Sequence, residues 1–336
     1  MVNYIWEDKH MKKHLMKTFA LVLALVMVLS LSCTAFASGA SLAMGTGGES
    51  GTYYAYGGVL ATYLKQTAGV DVTVVSTGGS AADITGIDDG SYDLATVQSD
   101  VMSYAYTGTN TYEESGAVTS FVTLGALYPE AVQIVTCNPD IKSVDDLKGK
   151  SVCIGDVGSG TYFNAMDVLT AYGLTEEDIN PVYQSFGDST ESLKDGKIDA
   201  AFQVAGPPVP AITDLAATKD VYLVSIDEEH IDALLEANPS YYTYTIPAGT
   251  YKGFDEDCTT ICIKATLIAR ADLDEDTAYT IVSTIFNPDN KDAIGELHAM
   301  GNLLDLEFAT DGITVPFHPG AAKFFAENGI EVDVAE

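Results

Sequence analysis

The chain reads as an α/β protein of two domains with a cleft between them. Three observations predict this. Strand-like and helix-like segments alternate after residue 40, the chain is longer than one ordinary core, and two glycine-rich loops each open a helix directly after a strand. Alternation of this kind builds largely parallel sheets covered by helices. At 336 residues the chain suits about two domains of roughly 100 to 200 residues each. The loops at 45–54 and 155–161 present bare backbone N–H groups at helix starts, where anions bind. We expect the two loops to face each other across the cleft and to hold a small carboxylate.

The formal net charge of -32 argues against nucleic acid, which is bound through clustered Lys and Arg, and against docking on an anionic membrane surface. Such acidity keeps a secreted protein soluble; adaptation to salt is the other reading. The first segment carries the address. Lys12, Lys13 and Lys17 precede an apolar run over 19–31, and Ala35-Phe36-Ala37 follows, the order of a secretory signal peptide. We expect residues 1–37 to be removed by cleavage after Ala37. The apolar run is short for a membrane span, which needs ~20 residues. Cys33 as a lipidation site is the alternative, with Leu31 misplaced for the usual lipobox. Met11-Lys12-Lys13 makes a better start than the ten residues before it.

Beyond the leader, 41–44 reads as a strand. Tyr56, Val59, Leu60, Tyr63 and Leu64 then recur at helical spacing. Residues 72–75 form a buried strand ended by Ser76-Thr77-Gly78-Gly79-Ser80. A helix over about 81–88 and a strand over 91–97 follow, with Gln98-Ser99-Asp100 at its end. Ligands gather at the carboxyl ends of strands in such sheets, so these three strand ends should share one rim.

From 121 to 137 the pattern predicts two strands broken by Tyr128-Pro129-Glu130, then a polar helical connection over 141–150. A second series starts at 151–155, with a helix bearing Phe163, Met166 and Leu169, a strand near Val182, a short helix near Leu193 and a strand over 198–204. The prolines of Ala205-Gly206-Pro207-Pro208 pre-set the next helix. A strand over 221–225, a tyrosine-rich loop over 241–247 and a return strand over 259–269 complete the unit. Helices near Asp274 and Asp289 and a tail near Ala321 then pack back on the first domain. The expected domains are therefore 38–135 with 260–336, and 136–259, joined by two hinge strands as in a clamp.

Several chemistries fail on residue type. Gly45-x-Gly47 has Ser50 where a dinucleotide loop has its third glycine, no acid ends the second strand, and no Walker lysine follows either loop. Ser159 sits between Gly158 and Gly160 without a nucleophile elbow. His230, His298 and His318 have no ligand-like spacing, and they read as satisfied surface or core histidines. Asp88-Asp89, Asp145-Asp146 and Glu228-Glu229 read as helix caps and solvated faces. Cys137, Cys153, Cys258 and Cys262 allow disulfides in three pairings, or buried thiols on strands, the reading preferred for a domain of this size; their spacing does not suit zinc. No nucleophile, base and oxyanion hole assemble, so we expect no enzyme, no metal and no cofactor. What recurs is a donor-rich strand end, which is a binding inventory.

Nine short motifs, in order, resemble one family. They are Gly45-Thr46-Gly47-Gly48 with Gly51-Thr52-Tyr53-Tyr54; Ser76-Thr77-Gly78-Gly79-Ser80; Gln98-Ser99-Asp100; Leu127-Tyr128-Pro129-Glu130; Leu147-Lys148-Gly149-Lys150; Gly158-Ser159-Gly160-Thr161; Ala205-Gly206 with Pro208; Ile246-Pro247-Ala248-Gly249-Thr250-Tyr251; and His318-Pro319-Gly320-Ala321. The chain resembles the TAXI substrate-binding proteins of tripartite ATP-independent periplasmic (TRAP) transporters. That resemblance implies a type II periplasmic-binding-protein fold, a location in the periplasm or on the outer face of the envelope, and delivery of an organic acid or acidic amino acid to TRAP membrane permease subunits. A monomer is expected. A binding protein of an ABC importer or sensor kinase with the same fold is the alternative. Glu49 departs from the small uncharged residues usual in the first loop and either caps the helix dipole or tunes ligand charge.

Arg270 is the single arginine and stands at the end of the return strand, so an arginine clamp on the ligand is not expected. The expected ligand contacts are Thr46, Gly47, Gly48 and Tyr53 from the first loop, Ser80, Gln98, Ser99 and Glu130 from the first domain, and Ser159, Gly160, Thr161 and Gly206 from the second. Tyr54 is an equal candidate for packing.

Overall fold

Short runs of β-branched and small residues form a ten-stranded mixed sheet among the residues described, 41–335, in the computed structural model. The expected leader, its cleavage point, Cys33 and the start at Met11 lie outside those residues. Strands β1 (Leu42–Gly45), β2 (Val72–Val75) and β3 (Leu94–Gln98) pair in parallel in the order β2-β1-β3. Helices α1 (Thr52–Ala68), α2 (Ser80–Asp88) and α3 (Ser99–Thr107) follow them in turn. Each crossover returns the chain to the same edge, so the three strands end on one rim, as expected.

The long strands β4 (Phe121–Thr136) and β10 (Cys258–Arg270) run antiparallel through the middle. In order, the sheet continues from β3 through β10 and β4 to β7 (Ala200–Ala205), β5 (Ser151–Cys153) and β6 (Asn180–Val182). Two further strands pair off this path: β8 (Tyr222–Val224) with β4 and β9 (Tyr242–Ile246) with β10. The order β2-β1-β3-β10-β4, with one antiparallel strand inserted late in the chain, is the type II periplasmic-binding-protein arrangement that the fold class predicted.

Two strand expectations change here. Residues 121–137 form one strand rather than two, because Pro129 falls where β4 has only β10 beside it. The β7 ladder begins at Ala131, so the missing N–H of proline costs no ladder bond at that point. The tyrosine-rich loop is a strand, β9, whose alternating aromatic and β-branched residues suit a pleat.

Helices α4 (Gly160–Ala171), α5 (Phe186–Lys194), α6 (Pro210–Ala216) and α7 (Glu228–Ala237) cover the β6 end of the sheet. The proline at the first turn of α6 is Pro210; Pro207 and Pro208 precede it. The connection over 141–150 holds only a 3-10 turn, Val144–Leu147, capped by Ser143. Helices α8 (Glu275–Ile285), α9 (Lys291–Leu297), α10 (Leu306–Thr310) and α11 (Pro319–Glu327) return to the β2 end. There Leu60, Leu64, Ile281, Ile285 and Phe325 form one apolar cluster with the sheet.

A separate cluster around Val132, Ile134, Val168, Leu169 and Phe202 serves the β6 end. The described residues form one compact unit. None of their helices is long and apolar enough to cross a membrane. All four described cysteines are free thiols, three of them buried.

Candidate ligand site

A cavity of about 390 Å³ lies where the two ends of the sheet meet. Four helix starts surround it, and the sequence explains each. The turn 46–51 brings the chain from β1 into α1 behind Gly51, and α1 begins with no side-chain cap. Gly47 lies at φ 62, a backbone form that suits glycine. Gly79, at φ 107, precedes α2, which is also uncapped by a side chain. Ser159 caps α4 by accepting from the Tyr162 N–H, and Ser185 caps α5 by accepting from the Asp188 N–H. Uncapped helix starts leave N–H donors free and carry partial positive charge.

Of the sequence-predicted residues, Thr46, Gly47, Gly48, Tyr53, Ser80, Gln98, Glu130, Ser159, Gly160 and Thr161 line the cavity. Ser99 and Gly206 do not. Ser99 follows Gln98 but opens α3, and its side chain turns away from the cavity toward β10. Its hydroxyl accepts from the Lys264 N–H at 3.2 Å, and it borders a separate hollow with Lys264 and Phe308. Gly206 turns beneath the wall; its carbonyl accepts from the Thr52 hydroxyl at 2.7 Å, and a Cβ there would meet the Tyr128 ring at 2.7 Å. Glu49 is exposed at the cavity mouth, and Tyr54 is not among the lining residues.

The sequence reading missed 184–188, which contributes Gln184, Ser185, Phe186, Gly187 and Asp188 to the wall, and did not single out Asp156. A signal was present: Ser185-x-x-Asp188 has the pattern of a helix start.

The electrostatics are unusual for an anion site. No Lys, Arg or His lines the cavity, whereas Glu49, Glu130, Asp156 and Asp188 do. Glu130 is buried at 1% exposure, and the Tyr53 hydroxyl donates to its Oε2. Burial holds its carboxyl well above the usual range, with the Asp100 charge adding to this and the Tyr53 bond opposing it. Tyr53 is pushed up in turn, first by burial and then by Glu130. Behind the first loop, burial pushes Asp83 up to about 8, with the Thr77 hydroxyl and the Gly47 N–H opposing. Burial also raises Asp156, and the Asp188 charge adds to it. Arg270 sits far along β10 and pairs with Asp93 at 3.2 Å and Asp272 at 3.4 Å. His318 caps α11 and its Nε2 lies 2.8 Å from the Leu273 carbonyl, a structural role.

The cavity walls touch across the cleft. A Cβ added at Gly160 would collide with the Gln98 side chain, and one at Gly79 would lie 3.8 Å from Ser159 Cβ. The Ala211 N–H donates to the Ser50 carbonyl at 3.2 Å. Deeper in, Asn164 Nδ2 donates both to Asp100 Oδ2 and to the Tyr241 hydroxyl, each at 2.8 Å. Tyr241 donates onward to Asp167 at 2.7 Å. Burial pushes Asp100 up to about 6, against the bonds from Asn164 and the Val101 N–H.

Comparison with known proteins gives three findings. The NMT1-like family matches residues 44–329. A solved structure from Bordetella bronchiseptica RB50 is similar over 86% of this chain and 89% of its own, with a TM-score of 0.52 and 17% identity. The alkanesulfonate-binding protein SsuA from Xanthomonas axonopodis pv. citri, bound to MOPS, is similar over 87% of this chain and 92% of its own, with a TM-score of 0.47 and 17% identity.

Proposed function

The chain belongs to the NMT1-like family, and from that premise and the cavity we propose that it is an extracytoplasmic solute-binding protein. It captures a small carboxylate and presents it to a membrane permease. One observation carries the reading: a cavity of about 390 Å³ is ringed by four helix starts from both ends of the sheet. Such a ring offers free N–H donors and partial positive charge to a carboxylate without any basic side chain. The loops 46–52 and 158–161 supply the carboxylate contacts, with Tyr53 and Phe186 as walls.

Capture and release follow from the topology. In this reading the described residues up to 135 act with those from 260 onward as one domain and 136–259 as the other, and among the described residues β4 and β10 carry the chain between them. A ligand touched by both domains exists in full contact only when they are shut, so it shifts the population toward the closed form, whose outer surface a permease reads. The partner is a TRAP-type permease, a reading supported by the order of the nine motifs. Removal of the leader places the protein outside the cytoplasmic membrane.

Native mass spectrometry of the purified protein, followed by thermal-shift screening of small carboxylates, tests the reading. We expect a bound or rescuing solute below about 300 Da, a size suited to a pocket of a few hundred Å³, and compaction by small-angle scattering when it is added. No binding by any of several hundred small acids would overturn the binding function. A gene neighbourhood holding an ATPase instead of a large multi-span permease would overturn the TRAP partner.

A further inference from the structure

We propose that the solute held in this cavity is an ammonium-bearing monocarboxylate, a zwitterion of the amino-acid type, whose ammonium group is seated on Glu130 and Gln98. The inference rests on the solute-binding reading and names the ligand class of the same site.

Two independent observations point to a donor-rich, positively charged group. The first is charge: four carboxylate side chains line the cavity and no basic side chain does. None of the four belongs to an ion pair among the described residues; the pairs found there are all elsewhere, as in Lys65–Asp71 and Arg270–Asp93. The second is an orphaned acceptor. Gln98, 3% exposed, lines the cavity, and its Oε1 is buried without a hydrogen-bond partner. Buried polar atoms are normally bonded, so this acceptor awaits a donor that the protein does not supply. Glu130, equally buried, has one protein partner, the Tyr53 hydroxyl.

An ammonium group answers both observations, because it brings three N–H donors and a positive charge. The alternatives do not. A dicarboxylate would set its second negative charge beside the buried Glu130 with no basic side chain lining the cavity to pair it, which a buried charge tolerates poorly. A metal ion needs several oxygen ligands at once, and no group of three His, Cys, Asp or Glu side chains is gathered for one among the described residues.

Polarity along the cavity then orders the ligand. Its carboxylate meets the helix starts, and its ammonium meets Glu130. The groups facing Glu130 are Tyr53 on α1, Tyr128 on β4, Asp100 on α3, Tyr242 on β9 and Cys262 on β10. None is a cation, so no protein group offsets a charge on Glu130, and burial holds its carboxyl well above the usual range; an ammonium group seated on it favours the ionised form, so any proton that Glu130 carries in the free cavity leaves to solvent on binding.

Calorimetry with matched pairs tests this. The probes are L-valine, L-leucine and L-glutamine, each beside its 2-hydroxy acid of the same skeleton, with succinate, 2-oxoglutarate and the diamine putrescine. At least one amino acid is expected to bind tenfold or more tighter than its hydroxy partner, with no binding of succinate. Its apparent enthalpy should change between buffers of different ionisation enthalpy, reporting the released proton. Glu130→Gln should erase the tenfold preference and the buffer dependence; the thermal midpoint of the variant reports whether it is folded. Equal or tighter binding of a hydroxy acid or a dicarboxylate would overturn the ammonium assignment while leaving the solute-binding reading intact. Tighter binding of putrescine would overturn the carboxylate half. If none of these probes binds, the ammonium assignment falls; the solute-binding reading falls with it only if none of the several hundred small acids binds and no small molecule co-purifies.

Discussion

Asn164→Ala tests whether the buried network behind the cavity ties the two ends of the sheet together. Asn164 is fully buried and spends one amide nitrogen on two bonds, to Asp100 and to Tyr241, each at 2.8 Å. Asp100 lies on α3 at the β2 end, whereas Asn164 lies on α4 at the β6 end. A hydrogen bond to a charged group contributes about 1.5–3 kcal/mol. The loss of three buried side-chain atoms adds a small cavity, for a total of about 2–4 kcal/mol. For a protein of this length, at roughly 2 °C per kcal/mol, the midpoint should fall by about 4–8 °C at pH 7.5.

The sign of the pH dependence follows from Asp100. Its carboxyl is raised to about 6 in the folded state, so folding takes up a proton as the pH drops through that value. Asn164 bonds the ionised form, and its removal raises the carboxyl further. The penalty should therefore be full at pH 7.5 and clearly smaller at pH 5, where Asp100 is protonated with or without Asn164. Circular-dichroism melts at both pH values measure it, and Asp100→Asn in the same background should restore much of the loss at pH 7.5. A drop under about 1 kcal/mol at pH 7.5, or an equal drop at both values, would refute the argument.

Replacing Ser159 and Thr161 together by alanine should weaken solute binding by more than tenfold, because both line the cavity at the start of α4; an unchanged calorimetric Kd would sink that assignment. In the wild-type protein, Asp83 and Asp100 are raised to about 8 and 6, so both cost stability when ionised. The calorimetric midpoint should climb as the pH is lowered from 8.5 to 5. Asp178 and Asp227, held near 2, contribute stability present above the unfolded carboxylate value and lost as the pH falls from about 4 toward 2, so the climb should reverse there. A flat profile would contradict the burial argument. Of the four described thiols, only Cys137 is part-exposed. Thiol labelling with peptide mapping should therefore mark Cys137 in the native protein and Cys153, Cys258 and Cys262 only after unfolding.

The alternation of elements was legible because it is local. Strand 72–75 is read residue for residue, and β1 is displaced by a single position. The failures were equally physical. Pro129 reads as a break because a lone strand loses a bond there, yet β4 loses none where it has one neighbour. Residues 242–246 read as a loop because four polar or aromatic residues precede a proline, yet β10 supplies a pairing edge. Ten of the twelve expected site residues line the cavity, since glycine turns and capping hydroxyls announce themselves locally. Ser99 falls outside it because its side chain turns to the β10 backbone, and Gly206 because its backbone packs beneath the wall against Thr52 and Tyr128; both placements are set by elements distant in sequence.

By itself the sequence determined the helix starts behind the two glycine loops, the absence of a basic residue within those loops and the parallel β-α order, because backbone conformation at glycine and the period of apolar residues need no distant partner. The tertiary structure alone decided that Glu130 is buried against Tyr53, that Gln98 Oε1 has no partner, and that 184–188 completes the wall. Desolvation and convergence depend on chain segments far apart in sequence, and the character of this cavity, an acid-lined chamber ringed by N–H donors, arises only when those segments meet.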